Sequence, residues 1–339
     1  MSLPEHAYRS IAPNLRICCT LTGMWQVSGG HGPIDPTKAV DAMIAYHDAG
    51  FTTWDLADHY GPAEDFIGAF RRRLAATRGQ AALESTCAFT KWVPQPGPMT
   101  RPVVERAVDI SLRRMDVSAL DMLQFHWWDY QDQRYLDAFE ALAALQQAGK
   151  LRHLGLTNFD TAHLAELVGR GLPIVTNQVQ YSLIDRRPEV QMAAFCQTHQ
   201  VGLLAYGTLC GGLLGDKYLG QPEPTRTELR TASLQKYKRM IDLWGGWALF
   251  QELLAVLRQL ADRHQSSIAT IALRAILDRP AVAGVIVGAR LGVAEHRDAT
   301  AAVFALALDE RDHQDIDAVL ARSNDLFQRI GDCGDEYRR

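Results

Sequence analysis

Short apolar runs rich in β-branched and aromatic residues alternate with longer amphipathic stretches along nearly the whole chain. Asp35 and Pro36 open a helical stretch, PTKAVDAMIAYHDAG, with Gly50 as its stop. FTTWDL follows as a buried strand, and EDFIGAFRRRLA as a helix that turns basic toward its end, where the helix dipole favours cations. ALESTCAFTKW reads as the third strand. Thr100 is expected to cap the helix RPVVERAVDISLRRM, which precedes the fourth strand, LDMLQFHW. RYLDAFEALAALQQAGK is a long helix ending at Gly149. LRHLGLTN, PIVTNQV and VGLLAYG are strands five to seven, separated by the helices TAHLAELVGRG and PEVQMAAFCQTHQ. AVAGVIVGA is the eighth strand, reached through helices near 247–278 and followed by helices near 293–305 and 309–328. LRICCTLTGMW holds an early strand that starts or floors the array. The expected fold is a single (β/α)8 barrel domain over residues 1–339, with a long irregular segment near 209–245 after strand seven.

Five of the apolar runs end on or close to a polar residue: Asp55, Lys91, His126, Asn158 and Gln178. Their separations are 36, 35, 32 and 20 residues, about the length of one strand–helix unit for the first three. In a parallel barrel such strand ends converge on one face, where sites are built. Tyr60, five residues after Asp55, falls in the loop leaving the same strand. The array therefore gathers a carboxylate, a phenol, an ammonium and an imidazole.

Composition narrows the function. The chain is 47% hydrophobic and 22% charged, with 35 basic and 39 acidic side chains, which leaves no electrostatic footprint for nucleic acid. No stretch is apolar for long enough to span a bilayer. The first sixteen residues lack the apolar core of a signal peptide, so a cytoplasmic location is expected. The six cysteines fit neither a zinc spacing nor a C-x-x-C pair, and the eleven histidines form no HExxH. A metal site is not expected.

Taken singly, each polar residue has an ordinary structural use. Asp55 reads as a helix cap, Tyr60 as packing, Lys91 as a solvated cation and His126 as a hydrogen-bonded core histidine. Their occurrence together, in order and at strand ends, favours a catalytic set. A phenol is a weak acid at neutral pH. A neighbouring ammonium lowers its pKa, so Lys91 is expected to activate Tyr60, with Asp55 holding Lys91 and His126 polarising a substrate oxygen. That set donates a proton to a developing alkoxide. It holds no nucleophile, so the hydride comes from a nicotinamide cofactor.

With these residues the chain resembles the aldo-keto reductase superfamily from TGMW to GAR. Asp55, Tyr60, Lys91 and His126 match the family tetrad, and DLADHYG its D-x-A-x-x-YG segment. LTNF, NQVQY and AYGTLCGGLLGDKY match three further family segments. The resemblance implies reduction of a small-molecule aldehyde or ketone. Asn158 and Gln178 would hold the nicotinamide carboxamide, with Thr157 beside them and Tyr206 stacked on the ring. Leu209, Gly211 and Leu213 would line the pyrophosphate, with Asp216 and Lys217 closing over it, and Gly23, Met24 and Trp25 would border the nicotinamide. At the adenine end the chain departs from the family. Gly288, Ala289 and Arg290 fit its glycine-type turn, and Arg290 suits a 2′-phosphate. Arg297 and Asp298 lie near the expected arginine and asparagine, yet the usual second arginine is not in place. NADP is the implied cofactor and NAD the alternative. Some relatives act as cofactor-sensing accessory subunits, which is the second functional reading. A barrel lyase or isomerase without nicotinamide is a third. One of Trp127 and Trp128 is expected to wall the pocket and the other to pack, Trp54 to face the helices, and the Gly29, Gly30 and Gly32 loop to form a rim.

Overall fold

Ten strands form among residues 3–338, which the computed structural model describes, and eight of them close into a parallel barrel. A hairpin comes first, β1 (Tyr8–Ala12) pairing antiparallel with β2 (Leu15–Cys18). The barrel strands are β3 (Thr20–Gly23), β4 (Thr53–Asp55), β5 (Cys87–Trp92), β6 (Leu120–His126), β7 (Leu151–Thr157), β8 (Ile174–Gln180), β9 (Gly202–Tyr206) and β10 (Val282–Gly288). β10 pairs with both β9 and β3 and so closes the ring. Helices cover its outside, giving a (β/α)8 barrel.

The opening stretch is split more finely than its apolar pattern suggests. LRICCTLTGMW holds both the second hairpin strand and the first barrel strand. Leu15 and Ile17 of the hairpin join Leu21, Phe89, Met122, Leu204 and Ala283 in an apolar cluster. These inward-facing side chains floor the barrel and leave only its opposite end open for a site. The main core lies between the barrel and its helices. There Trp54 is fully buried against Tyr46 and Phe70, on the face opposite to Asp55 as strand alternation requires.

Five expectations are corrected. The run from Ala82 is not yet strand: Gln80–Glu84 forms a helical turn, and extended pairing starts at Cys87. Gln, Ala, Leu and Glu favour helix, and Thr52 is the first partner available to Cys87. Thr100 makes no capping bond, and the proline at the start of Arg101–Met115 sets the helical backbone instead. The segment near 209–245 is helical over Ala232–Trp244, with Thr231 accepting from the Leu234 amide. Tyr237, Met240, Ile241 and Trp244 form its buried stripe, at a helical spacing that its polar residues obscure. The last helix breaks in two, Glu310–Leu320 and Leu326–Ile330, because Asn324 turns to bond the Leu243 and Trp244 carbonyls. The helix expected near 293–305 is regular only over Arg297–Ala301, with a 3-10 turn after it.

One helix contact bears on the site. Glu64, at the start of Ala63–Arg78, is fully buried and accepts from Thr90, the neighbour of Lys91 in β5. Gly68 in the same helix lies against the backbone of Arg114, leaving no room for a side chain. Alanine at this position raises helix propensity by about 1 kcal/mol. Overpacking against backbone costs roughly 1–3 kcal/mol, so the clash wins. Gly68→Ala should therefore lower stability by on the order of 1 kcal/mol, read as a lower urea midpoint with an unchanged slope. A midpoint at or above that of the parent would contradict this seat.

Candidate functional site

Strand register brings the polar strand ends together. Asp55 lies beside Gly23, Lys91 beside Gln124, and His126 and Gln178 on either side of Thr157. At the floor of the site the Lys91 ammonium donates to Asp55 Oδ1 at 2.9 Å, Asp55 Oδ2 at 2.7 Å and the Leu56 carbonyl at 2.9 Å. Gln124 and Gln178 each donate an amide N–H to Asp55 Oδ1, at 3.0 and 2.6 Å, and Gln178 also donates to Gln124 Oε1 at 2.8 Å. The ion pair is buried, with both ions fully satisfied. Burial pulls the Lys91 pKa below its ordinary value, against the pull of the Asp55 carboxylate.

Tyr60 stands above this pair, its ring centroid 5.1 Å from Lys91 Nζ and edge-on to Trp25 and His59. Among the described residues its hydroxyl has no hydrogen-bond partner. The expected activation is not what the structure shows. All three Lys91 protons are already engaged, and burial, reinforced by Asp55, pushes the Tyr60 hydroxyl well above its ordinary pKa. Tyr60 is thus a firmly protonated phenol. His126 is neutral: burial first, then the Arg338 guanidinium, pushes its pKa down to about 3. Its Nε2 is buried without a partner, and the Trp128 ring lies 4.1 Å from the imidazole centroid.

These residues form one end of an elongated cavity of about 830 Å³. Asn158, Thr157, Gln178 and Tyr206 continue its wall, and Gly207, Leu209 and Gly211 line the middle beside the start of the Ala232–Trp244 helix. Gly207 has φ +72, and a side chain there would strike the Tyr237 ring. Gly288, Arg290 and His296 border the far end, where Arg290 donates to the His31 carbonyl at 2.8 Å and keeps a buried Nε without a partner. Gly23 and Trp25 are on the wall, as is Lys217.

Three expected cofactor residues are off that wall. Met24 and Leu213 are fully buried in the core, and Asp298 is exposed on the helix Arg297–Ala301, outside the cavity. Arg297 packs over the Tyr46 ring, and Asp216 pairs with Arg258. Trp128 walls the pocket while Trp127 packs on Phe125. The glycine loop contributes His31 to the wall. Sequence reasoning missed Gln124, though a lone amide two positions before His126 in an apolar strand shares its face. It also missed Lys236 and Tyr337, which enter the cavity from a helix and from the chain end. No local pattern marks them.

The residues fit an extended dinucleotide carrying a primary amide. Gln178 spends its N–H groups on Asp55 and Gln124, and its Oε1 accepts from none of the described residues. Asn158 accepts at Oδ1 from Tyr206 at 2.9 Å, and its Nδ2 has no partner among the described residues. One free acceptor and one free donor match the two halves of a carboxamide. The Thr157 hydroxyl between them is buried and unpaired.

The sequence model of the aldo/keto reductase family matches residues 21–321. Over 318 residues the chain is 26% identical to the aldo-keto reductase YhdN of Bacillus subtilis, covering 91% of each. It is 27% identical over 290 residues to L-glyceraldehyde 3-phosphate reductase of Escherichia coli K12, covering 81% of each. It is 26% identical to flagellar radial spoke protein 5 of Chlamydomonas reinhardtii across 73% of this chain, but spans only 58% of that longer relative. Among solved structures, a glycerol dehydrogenase from Gluconobacter oxydans superposes with a TM-score of 0.76 at 25% identity, covering 94% of this chain and 96% of that one. An aldo/keto reductase from Klebsiella pneumoniae, in complex with NADP and acetate, shares the fold with a TM-score of 0.66 at 23% identity, covering 90% and 92%.

The depressed His126 pKa has a consequence for stability. An unfolded histidine binds its proton below about pH 6.5, whereas the folded one holds out to about 3. The unfolded chain therefore binds more protons in that window. His126 should contribute its full stability above the upper limit and lose it as pH falls through the window. Denaturant midpoints measured at pH 7 and pH 4.5 should fall less on acidification in His126→Gln than in the parent. Equal falls would mean that His126 is not held neutral.

Proposed function

The chain belongs to the aldo/keto reductase family, and on that premise we propose that it reduces an aldehyde or ketone to the alcohol with NADPH, Tyr60 delivering the proton. It is an NAD(P)H-dependent oxidoreductase acting on a small-molecule carbonyl compound. The observation that carries the finer reading is a protonated phenol without a hydrogen-bond partner, facing the cavity beside a buried lysine cation and a neutral imidazole. The whole chain is read as one catalytic domain.

When bound, the nicotinamide supplies the hydride that the carbonyl carbon accepts. The carbonyl oxygen gains negative charge as this happens, and the surrounding residues answer that charge. The Tyr60 O–H donates to the oxygen and gives up its proton. Tyr60 need not be acidic in the resting site; it need only be a stronger acid than the alcohol being formed. The phenolate left behind lies close to the Lys91 cation, which favours it more than it favoured the phenol. Asp55 keeps Lys91 in place. His126, neutral, orients the carbonyl by a hydrogen bond rather than by charge. Asn158 Nδ2 and Gln178 Oε1 would hold the carboxamide, with Thr157 beside it and Tyr206 under the ring. Leu209 and Gly211 would follow the pyrophosphate. The unpartnered Nε of Arg290, at the far end of the cavity, supports a 2′-phosphate there and hence NADPH over NADH.

Two measurements test this. Tyr60→Phe should cut turnover of NADPH with a reactive aldehyde by roughly 10²- to 10⁴-fold, the usual worth of a positioned general acid, while NADPH binding is little changed. A variant retaining most of the parent turnover would remove Tyr60 as the donor. Tight NADPH binding by the parent with negligible turnover across a carbonyl panel would favour the sensing role instead. Arg290→Ala should weaken NADPH binding by roughly 10- to 100-fold, the worth of a charged hydrogen bond, and leave NADH binding unaltered. Equal effects on both cofactors would place the 2′-phosphate elsewhere.

A further inference from the structure

The chain end folds back over the open face of the barrel. Arg187, in the loop after β8, is 1% exposed, and its guanidinium makes two 2.8 Å bonds to Asp185. It also donates to the Asp332 carbonyl at 2.9 Å and to Glu336 at 2.8 Å. A buried cation held by two carboxylates latches residues 332–336 to the barrel. Tyr337 and Arg338, which follow the latch, then reach the site from different directions.

Both reach Asn158. The Arg338 guanidinium donates to the Asn158 backbone carbonyl and to that of Trp127 at 3.3 Å, while lying 3.9 Å over the Tyr130 ring. Gly334 packs so closely on the same Asn158 carbonyl that a side chain there would overlap it. Asn158 itself has a left-handed backbone, φ 57, and donates its amide to Gln178 O at 2.8 Å. Tyr337 acts on the Asn158 side chain. Lys236 Nζ donates to the Tyr337 hydroxyl, which lies 3.1 Å from the Tyr206 hydroxyl, which in turn is 2.9 Å from Asn158 Oδ1.

An ammonium can only donate, so the Tyr337 hydroxyl accepts from Lys236. The Tyr206 O–H donates to Asn158 Oδ1, so in the contact between the two phenols the Tyr337 O–H is the donor and Tyr206 the acceptor. With its oxygen turned to Tyr206, Asn158 keeps Nδ2 as the free donor on the cavity side. Each hydroxyl donates once and accepts once, an arrangement that the Lys236 cation, three hydrogen bonds away, favours over the reverse one.

We propose that Tyr337 and Lys236 are positioning residues for cofactor binding, fixing the Asn158 amide through Tyr206 so that it donates to the nicotinamide carboxamide. This rests on the reading of Asn158 as a carboxamide contact, and the test separates the two. Dissociation constants are measured by protein fluorescence for two pairs: NADPH with 2′-phospho-ADP-ribose, and NADH with ADP-ribose. Each fragment lacks the whole nicotinamide, so the ratio within a pair isolates the contacts made to that group whichever dinucleotide the protein prefers.

Tyr337→Phe should weaken the dinucleotides by roughly 2- to 10-fold, the range of one neutral hydrogen bond, and leave the fragments unchanged. Lys236→Met should act in the same direction, and Lys236→Arg, which still only donates, should restore the parent ratio. Asn158→Ala is measured alongside. If Asn158→Ala shifts the ratio and neither Tyr337→Phe nor Lys236→Met does, the relay is overturned and the Asn158 reading stands. If none of the three shifts it, the Asn158 reading fails and the relay with it. Equal weakening of dinucleotide and fragment by Tyr337→Phe would make the tail a packing element only, and would also overturn the proposal.

Discussion

The site depends on one buried ion pair. Removing a lysine and an aspartate from water is expensive, and the interior returns that cost only where every polar atom finds a partner. Here the Lys91 ammonium spends three protons on Asp55 and Leu56, and Asp55 receives two further amide N–H groups from Gln124 and Gln178. These partners come from β4, β5, β6, β8 and the loop leaving β4. The same bonds that make the charges tolerable therefore tie together the strand ends on which the pocket is built. Removing one partner would strand a charge in the barrel, which typically costs 3–5 kcal/mol.

That arrangement also decides what the pair can do for Tyr60. With no proton to spare, Lys91 acts on the phenol through space only. In the resting site burial first, and then the Asp55 carboxylate, raises the phenol's pKa, and the phenol keeps its proton. Under the proposed proton donation the phenolate left behind would meet a cation 5.1 Å from its ring centroid, and the balance would change. The pair is overall neutral, so it does not charge the pocket before the reaction. His126 is neutral for the same reason of burial. Tyr60 and His126 thus stand in the pocket as uncharged, fixed donors, and fixed donors act most strongly on a developing oxyanion in a site shielded from water.

Much of this was legible in the sequence because the barrel repeats one unit. Strand-and-helix alternation gave the parallel ring, and the residues at strand ends had to share a face. Asp55, Lys91 and His126 needed no more than that. Gln124 was legible too, since a lone amide in LDMLQFHW two places before His126 shares its side of the strand. What escaped depends on contacts between distant segments. Thr100 looks like a cap and makes none, because the following proline already sets the helix. The helix Ala232–Trp244 hides among polar residues, and its apolar stripe matters only because a barrel is there to cover it. Asp298 lies one helical face away from the cavity, a rotation that no spacing rule fixes. The direction of the Tyr60 pKa shift followed from burial first and then from the Asp55 carboxylate, and how deeply a loop residue is buried is not written in its spacing.

The chain end is the strongest case of such non-local construction. GDCGDEYR carries no hydrophobic period that would dock it on the barrel. Its place is set by Arg187, whose guanidinium would be an unpaired buried charge without Asp185 and Glu336. Burial of that cation and docking of the tail are one event, because each supplies what the other lacks. The first β/α loop approaches from the opposite side, with Trp25 on the Tyr60 ring and His31 held by Arg290. The barrel supplies the floor and the polar strand ends, while the segments above it come from distant parts of the chain: the first β/α loop, the stretch after β9 with the helix Ala232–Trp244, and residues 332–338. A fold shared by many enzymes can in this way keep its floor constant and vary what a substrate meets above it.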